Sequence, residues 1–181
     1  MKKIISVFLL AALWGMASLC VAAKSNLPAE DIYIHNVGNI QLKAKVTPAY
    51  ASEILGEVLE FRQGTRWDND IMYVIFEGGT VWLDDQSGGA DMDTEAMIAR
   101  AIFTKKDVFT LRGIHIGDDA ALVYKKYGQP TAMRQNRMKS YEGIVDVWQQ
   151  YITKPSAKLY FGIRNGRVAA IAVSVMPANG L

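Results

Sequence analysis

The chain holds a single cysteine, Cys20, and two histidines, His35 and His115. One thiol cannot make an intramolecular disulfide, and no cysteine pair or His-Glu-x-x-His spacing exists to hold zinc. Gly-x-Ser-x-Gly, Gly-x-Gly-x-x-Gly and the Walker loop are also missing, which removes the usual grounds for a nucleophile elbow or a phosphate cradle. Charge of one sign is lacking too: 20 Lys+Arg face 18 Asp+Glu. Without a basic excess there is no electrostatic warrant for nucleic acid. Half the residues are nevertheless apolar, so the expectation is a packed globular domain.

The first 23 residues read as a signal peptide. Lys2 and Lys3 form a basic start, Ile4 to Leu13 an apolar run too short for a bilayer, and Val21-Ala22-Ala23 a small-residue cleavage site. Cleavage after Ala23 removes both lysines, leaving 18 basic against 18 acidic residues. The expected location is therefore exported, periplasmic or extracellular, with no transmembrane segment after cleavage. Lipidation at Cys20 is disfavoured, because Leu19 is bulky where lipoprotein processing prefers a small residue. A chain that loses its one cysteine with the leader relies on its core for stability, and its length suffices to bury about two-thirds of the unfolded surface.

The remaining sequence has an α+β pattern. Residues 24–37 form an N-terminal leader, loose at its start where hydrophobic residues are few. Thr47-Pro48 is a helix start, with threonine as cap and proline in the first turn. Tyr50, Ile54, Leu55 and, a turn further on, Val58 share one face of that helix. A second helix is capped by Asp118 or Asp119, carries Ala120, Val123, Tyr124 and Tyr127 as its stripe, and ends at Gly128 before Pro130. Hairpins are expected at Glu77-Gly78-Gly79-Thr80 and at Arg164-Asn165-Gly166-Arg167, where Asn-Gly suits a tight turn.

These pieces read as one unit present twice, a strand and a helix followed by three strands, with residues 38–110 a worn copy of 111–181. Ile40-Gln41-Leu42 stands for Ile114-His115-Ile116, Ile54-Leu55-Gly56 for Lys126-Tyr127-Gly128, and Met97 to Phe103 for Arg167 to Val173. Two such units would form a sheet with the helices on one face. Alternation turns Leu159, Phe161, Ile163, Ile171, Val173 and Val175 toward the helices, and Lys158, Tyr160 and Arg164 away. In the strand Ile144 to Ile152 the expectation sets Val145, Val147 and Tyr151 on the helix side, and Asp146, Trp148 and Gln150 on the open side.

Gly113-Ile114-His115-Ile116-Gly117 and Tyr127-Gly128-Gln129-Pro130, with this order of elements, resemble the tandem modules of β-lactamase-inhibitor-protein-like (BLIP-like) folds. The pattern over about residues 38–176 is also similar to outer-membrane assembly lipoproteins of the SmpA/OmlA type. The resemblance implies a fold and a sheet surface that binds another protein. The chain departs from the inhibitors in lacking disulfides, and from the lipoproteins in lacking a proper lipobox.

The candidate binding residues are those expected on the open face: Trp82 and Arg100 from the first copy, Asp146, Trp148, Tyr160 and Arg164 from the second. Aromatic residues with arginine are the composition of interface hot spots. The competing reading makes Trp82 and Trp148 half-buried sheet residues under a loop such as 84–95. That loop is acidic, and Asp84 with Glu95 would take the first and twelfth positions of an EF-hand-like calcium site. Gln86 and Gly88 are poor ligands at the third and fifth, so a solvated loop is the better reading. His115 is expected as a surface strand residue. Glu142 and Asp146, about 13 Å apart on a strand, do not make a glycosidase pair. No acid, base and nucleophile come together, so neither an enzyme nor a cofactor is expected. The expected function is a non-catalytic binding module for another envelope or secreted protein, an assembly factor or an inhibitor; the alternative is a small-molecule or cell-wall-fragment binder.

Overall fold

A computed structural model describes residues 26–66, 69–85, 91–153 and 157–175. The signal-peptide reading of residues 1–23 lies outside these. So do 86–90, the middle of the acidic loop.

Helix α1 spans Pro48–Leu55 and α2 spans Ala120–Tyr127. Both begin at the caps expected from the sequence: the Tyr50 amide donates to the Thr47 side chain, and the Ala121 amide to that of Asp119. Asp118 is the wrong choice of cap, since its carboxylate instead accepts from the His115 amide. The helices close on Gly56 and Gly128, whose φ of 89° and 75° only glycine adopts readily. Because Gly56 stops α1, Val58 belongs to a strand and not to the helical face expected for it.

Three short strands precede α1: β1 (Asn26–Leu27), β2 (Ile34–His35) and β3 (Lys45–Val46). After α1 the chain runs through β4 (Val58–Arg66), β5 (Asn69–Phe76), β6 (Gly79–Asp85) and β7 (Ala96–Phe103). Strand β8 (Phe109–Thr110) leads to α2, followed by β9 (Ala132–Gln135), β10 (Val147–Thr153), β11 (Ala157–Arg164) and β12 (Arg167–Val175). Each helix thus precedes four strands where the sequence suggested three. The overlooked ones, β4 and β9, are each the first after a helix.

The fold is α+β, with a mostly antiparallel sheet in the order β4-β5-β6-β7-β12-β11-β10. Strands β9 and β1 both lie along β10, β1 being parallel to it, and β3 pairs with β7. The two long meanders meet where β7 pairs antiparallel with β12, Ile102 standing opposite Ala172. Register shifts fall between Trp82 and Leu83 and between Gly162 and Ile163. Each such bulge re-phases the alternation, so that Ile98 and Ala101 face the same side although three residues apart.

Both helices lie on one face. Ala51, Leu55, Val123 and Tyr127 pack there with Val74, Val81, Phe103, Leu159, Phe161, Ile171 and Val173, the side expected for the last four. The leader is docked, contrary to the expectation of a loose start. Leu27 is buried, and Asp31 is buried against the Arg112 guanidinium at 2.8 and 2.5 Å. That guanidinium also donates to the Lys126 carbonyl at 2.7 Å and lies over the Tyr127 ring, which ties the leader to the end of α2.

Candidate functional site

Alternation sends one set of side chains to the face away from the helices. In β4 to β6 these include Glu60, Arg62, Tyr73, Ile75, Thr80 and Trp82, and in β7 Arg100 and Ile102. Pairing aligns some of them into a row across the strands: Arg62, Tyr73, Trp82, Arg100, Ser174 and Lys158. Neighbours in such a row stand about 5 Å apart, close enough for rings and long side chains to touch. The Tyr73 and Trp82 rings meet edge to face at 4.9 Å, and the Arg100 guanidinium lies 5.2 Å from the Trp82 ring centre. Burial first, then the charges of Arg134 and Arg100, pull the Lys158 pKa below its ordinary value.

Part of this face is covered. Between β9 and β10 the chain leaves the sheet, and residues 136–146 fold back across it. Asn136 organises the return: its side chain accepts from the Met138 amide at 3.1 Å and from the Trp148 indole at 3.1 Å, and donates to the Met138 carbonyl. A short 3-10 turn over Lys139–Tyr141 follows. Tyr141 enters the layer beneath and meets the Thr80 hydroxyl at 2.8 Å, both groups buried. Burial pushes the Tyr141 pKa well above the usual tyrosine value. The result is a second small core of Ile102, Tyr141, Val145, Trp148, Tyr160, Ala170 and Ala172.

The cover stops short of β4, and its edge forms one wall of a cleft of about 570 Å³. The floor is Tyr73, Ile75 and Trp82, Glu60 and Arg62 stand at the outer side, and Met138, Lys139 and Ser140 form the wall. A hydrogen bond between Tyr73 Oη and Ser140 Oγ, 3.1 Å, joins floor to wall. Arg62 is held by Glu60 in an ion pair on the same strand. The cleft therefore offers two adjoining aromatic rings, with the Arg62–Glu60 ion pair on one side and the Lys139 cation on the other.

The structure divides the six candidate residues into three groups. Trp82 is half-buried in the cleft floor, and Arg100 lies beside it, 8 % exposed. Trp148 and Tyr160 are on the expected face but are 1 % and 2 % exposed, so they are core and not an open surface. Burial raises the Tyr160 pKa accordingly. The cover over Trp148 comes from residues 136–146, while the middle of the 84–95 loop lies outside the described residues. Val145 is likewise on the Trp148 side, contrary to its expected place under a helix, because it precedes the strand and packs down from the cover. Asp146 is exposed where the cover rejoins the sheet, its amide donating to the Ile163 carbonyl at 2.9 Å. Arg164, half-buried on the β11–β12 hairpin, brings its guanidinium beside Gly143 of the cover.

Tyr73, Arg62, Met138, Lys139 and Ser140 were not anticipated. The alternation that assigned Trp82 also assigns Tyr73 to this face, since Met72, Val74 and Phe76 are buried on the other. The wall residues carry no such signal. Of the calcium candidates, Glu95 is exposed and Asp84 half-buried. Among the described residues no three His, Cys, Asp or Glu side chains are grouped to hold a metal, and no helix is long and apolar enough to cross a membrane. His115 is exposed and stacked on Phe109 at 4.7 Å, with His35 on that ring at 4.6 Å. No protein-family model, no curated protein and no solved structure matches this chain.

Proposed function

We propose that this is an exported, non-catalytic binding module that takes hold of another envelope or secreted protein at the cleft beside Trp82. The observation that carries the reading is the Tyr73–Trp82 pair, open on one side and flanked by Arg62 and Lys139. Rigid aromatic area next to cations suits a protruding loop of a partner, because it contributes contact at little cost in side-chain entropy. The same reading treats the chain as two related units. In its support, each helix is followed by a four-strand meander, β4 to β7 and β9 to β12, with a register shift between the third and fourth strands of each, although the first meander carries a further shift between β4 and β5. Phe61-Arg62-Gln63 and Met133-Arg134-Gln135 occupy corresponding positions against β5 and β10. The resemblance to BLIP-like and SmpA/OmlA-like proteins fits such a role and names no partner.

The cleft's volume supports a second reading, since small-molecule sites run from about 300 to 1,000 Å³. A sugar ring of a cell-wall fragment could stack on Trp82. Crosslinking capture from the producing cell's envelope fraction, with wild type beside Trp82→Ala, separates the two. A protein captured by the wild type and lost by the folded variant supports the module. Absence of any captured protein, with a cell-wall fragment quenching Trp82 fluorescence, favours the second reading.

A further inference from the structure

The two ends of the sheet are finished differently. Along β10 the outer edge is occupied in two pieces, by four-residue β9 and two-residue β1. At the other end β4 is nine residues long, pairs with β5, and carries no strand on its outer side among the described residues. It contains neither proline nor lysine, two of the usual devices that stop an edge from recruiting another strand; the devices it does carry are a bulge at Leu59, near its start, and the opposite charges of Glu60 and Arg62. Leu59, the extra residue at a bulge, is 63 % exposed, and Phe61 is only partly buried against the helix-side core.

The charges on this edge fit one another. When a strand pairs antiparallel with its own copy about a central residue, positions equally far either side of the centre stand opposite. Centred on Phe61, Glu60 of one copy faces Arg62 of the other, and the reciprocal pair repeats it across the two-fold. Residues two apart share a face, so all four charges lie on the cleft side while the two Phe61 rings meet on the helix side. Centring on Glu60 or Arg62 would instead set a like charge against itself. The geometry points to a homodimer formed by antiparallel pairing of β4 with β4 of a second copy, in the Phe61-centred register. The chain already makes an internal junction of this kind where β7 meets β12. Because Glu60 and Arg62 line the cleft, the dimer sets the two clefts side by side. This inference goes beyond the proposed function and stands without it, since Trp82 takes no part in the pairing.

Sedimentation equilibrium of the purified protein over a range of concentrations tests it. The wild type is expected to show a monomer–dimer equilibrium, and Trp82→Ala to keep it. Glu60→Arg and Arg62→Glu should each raise the dissociation constant about tenfold, because symmetry turns two favourable cross-strand pairs into repulsive ones at once. An equimolar mixture of the two variants should recover the dimer, each supplying the charge the other lost, and circular dichroism establishes that both are folded. A monomer at every concentration, or a dimer unchanged by both substitutions, overturns the inference. Capture of a foreign strand by β4 without self-association also overturns it.

Discussion

The face away from the helices has two halves built on similar alternation and put to different use. In β5 and β6, Tyr73 stands opposite Trp82; in β10 and β11, Trp148 stands opposite Gly162. Trp82 and Gly162 each come just before a register shift. Where the second position is tryptophan, two rings meet and the surface stays open as a cleft. Where it is glycine, Trp148 lies down in the vacated space and the cover settles over it. A Cβ on Gly162 would come within 2.7 Å of Val145 and 3.0 Å of Trp148. Connection length makes the same division. The chain passes from β4 to β5 across residues 67 and 68, whereas eleven residues separate β9 from β10, enough to cross the face. An aromatic residue on the solvent side of a strand pattern thus lines an open cleft or joins a core according to what the neighbouring connection can reach.

The largest effect that would break this contrast is at Trp148. Trp148→Ala should cost about 3–5 kcal/mol, read by denaturant unfolding, because it empties the centre of the second core. Gly162→Ala should cost about 1–3 kcal/mol through overpacking against Val145 and Trp148. If it proves neutral, the cover is not seated as described. Tyr141→Phe leaves the buried Thr80 hydroxyl without its partner and should cost about 1 kcal/mol or somewhat more. Trp82→Ala, at the cleft, should change stability by less than about 1 kcal/mol while, under the proposed function, abolishing capture of a partner protein.

Alkali separates buried from open tyrosines. Burial lifts Tyr127 from 10.0 to about 12, partly countered by its hydrogen bond to Thr110, and lifts Tyr141 and Tyr151 further. Each therefore holds its proton more tightly folded than unfolded. The resulting stabilisation is intact below pH 10 and is lost as the pH climbs through the folded values. Unfolding free energy followed against pH should fall above pH 10, and a flat profile up to pH 12 would contradict the burial of these hydroxyls.

Local signals in the sequence were legible because local chemistry decides them. Thr47-Pro48 and Asp119 start helices by satisfying free amides. Asn165 and Gly166, with φ of 50° and 74°, make the tight turn expected between β11 and β12. The alternation of Leu159, Phe161, Ile171 and Val173 gave the correct core face. Strand β4 was missed because Val58 continues the apparent helical stripe of Ile54 and Leu55, and one glycine at position 56 outweighs that periodicity. The cover was missed because what fixes it is long-range: Tyr141 to Thr80, Asn136 to Trp148, Tyr73 to Ser140. Docking of the leader is of the same kind, for Asp31 finds its partner 81 residues away at Arg112. The candidate site was accordingly half legible: Trp82 and Arg100 were placed by alternation, while Trp148 and Tyr160 required knowledge of a connection that folds over them.

The most direct test of the contrast is hydrogen exchange at the indole N–H groups of Trp82 and Trp148, assigned by single tryptophan-to-phenylalanine variants in NMR spectra. The Trp148 indole, buried and donating to Asn136, should exchange only through opening of the cover or global unfolding, whereas the half-exposed Trp82 indole should exchange orders of magnitude faster. Equal and rapid exchange at both would mean that residues 136–146 do not cover the sheet, and the division of this face into core and cleft would fall.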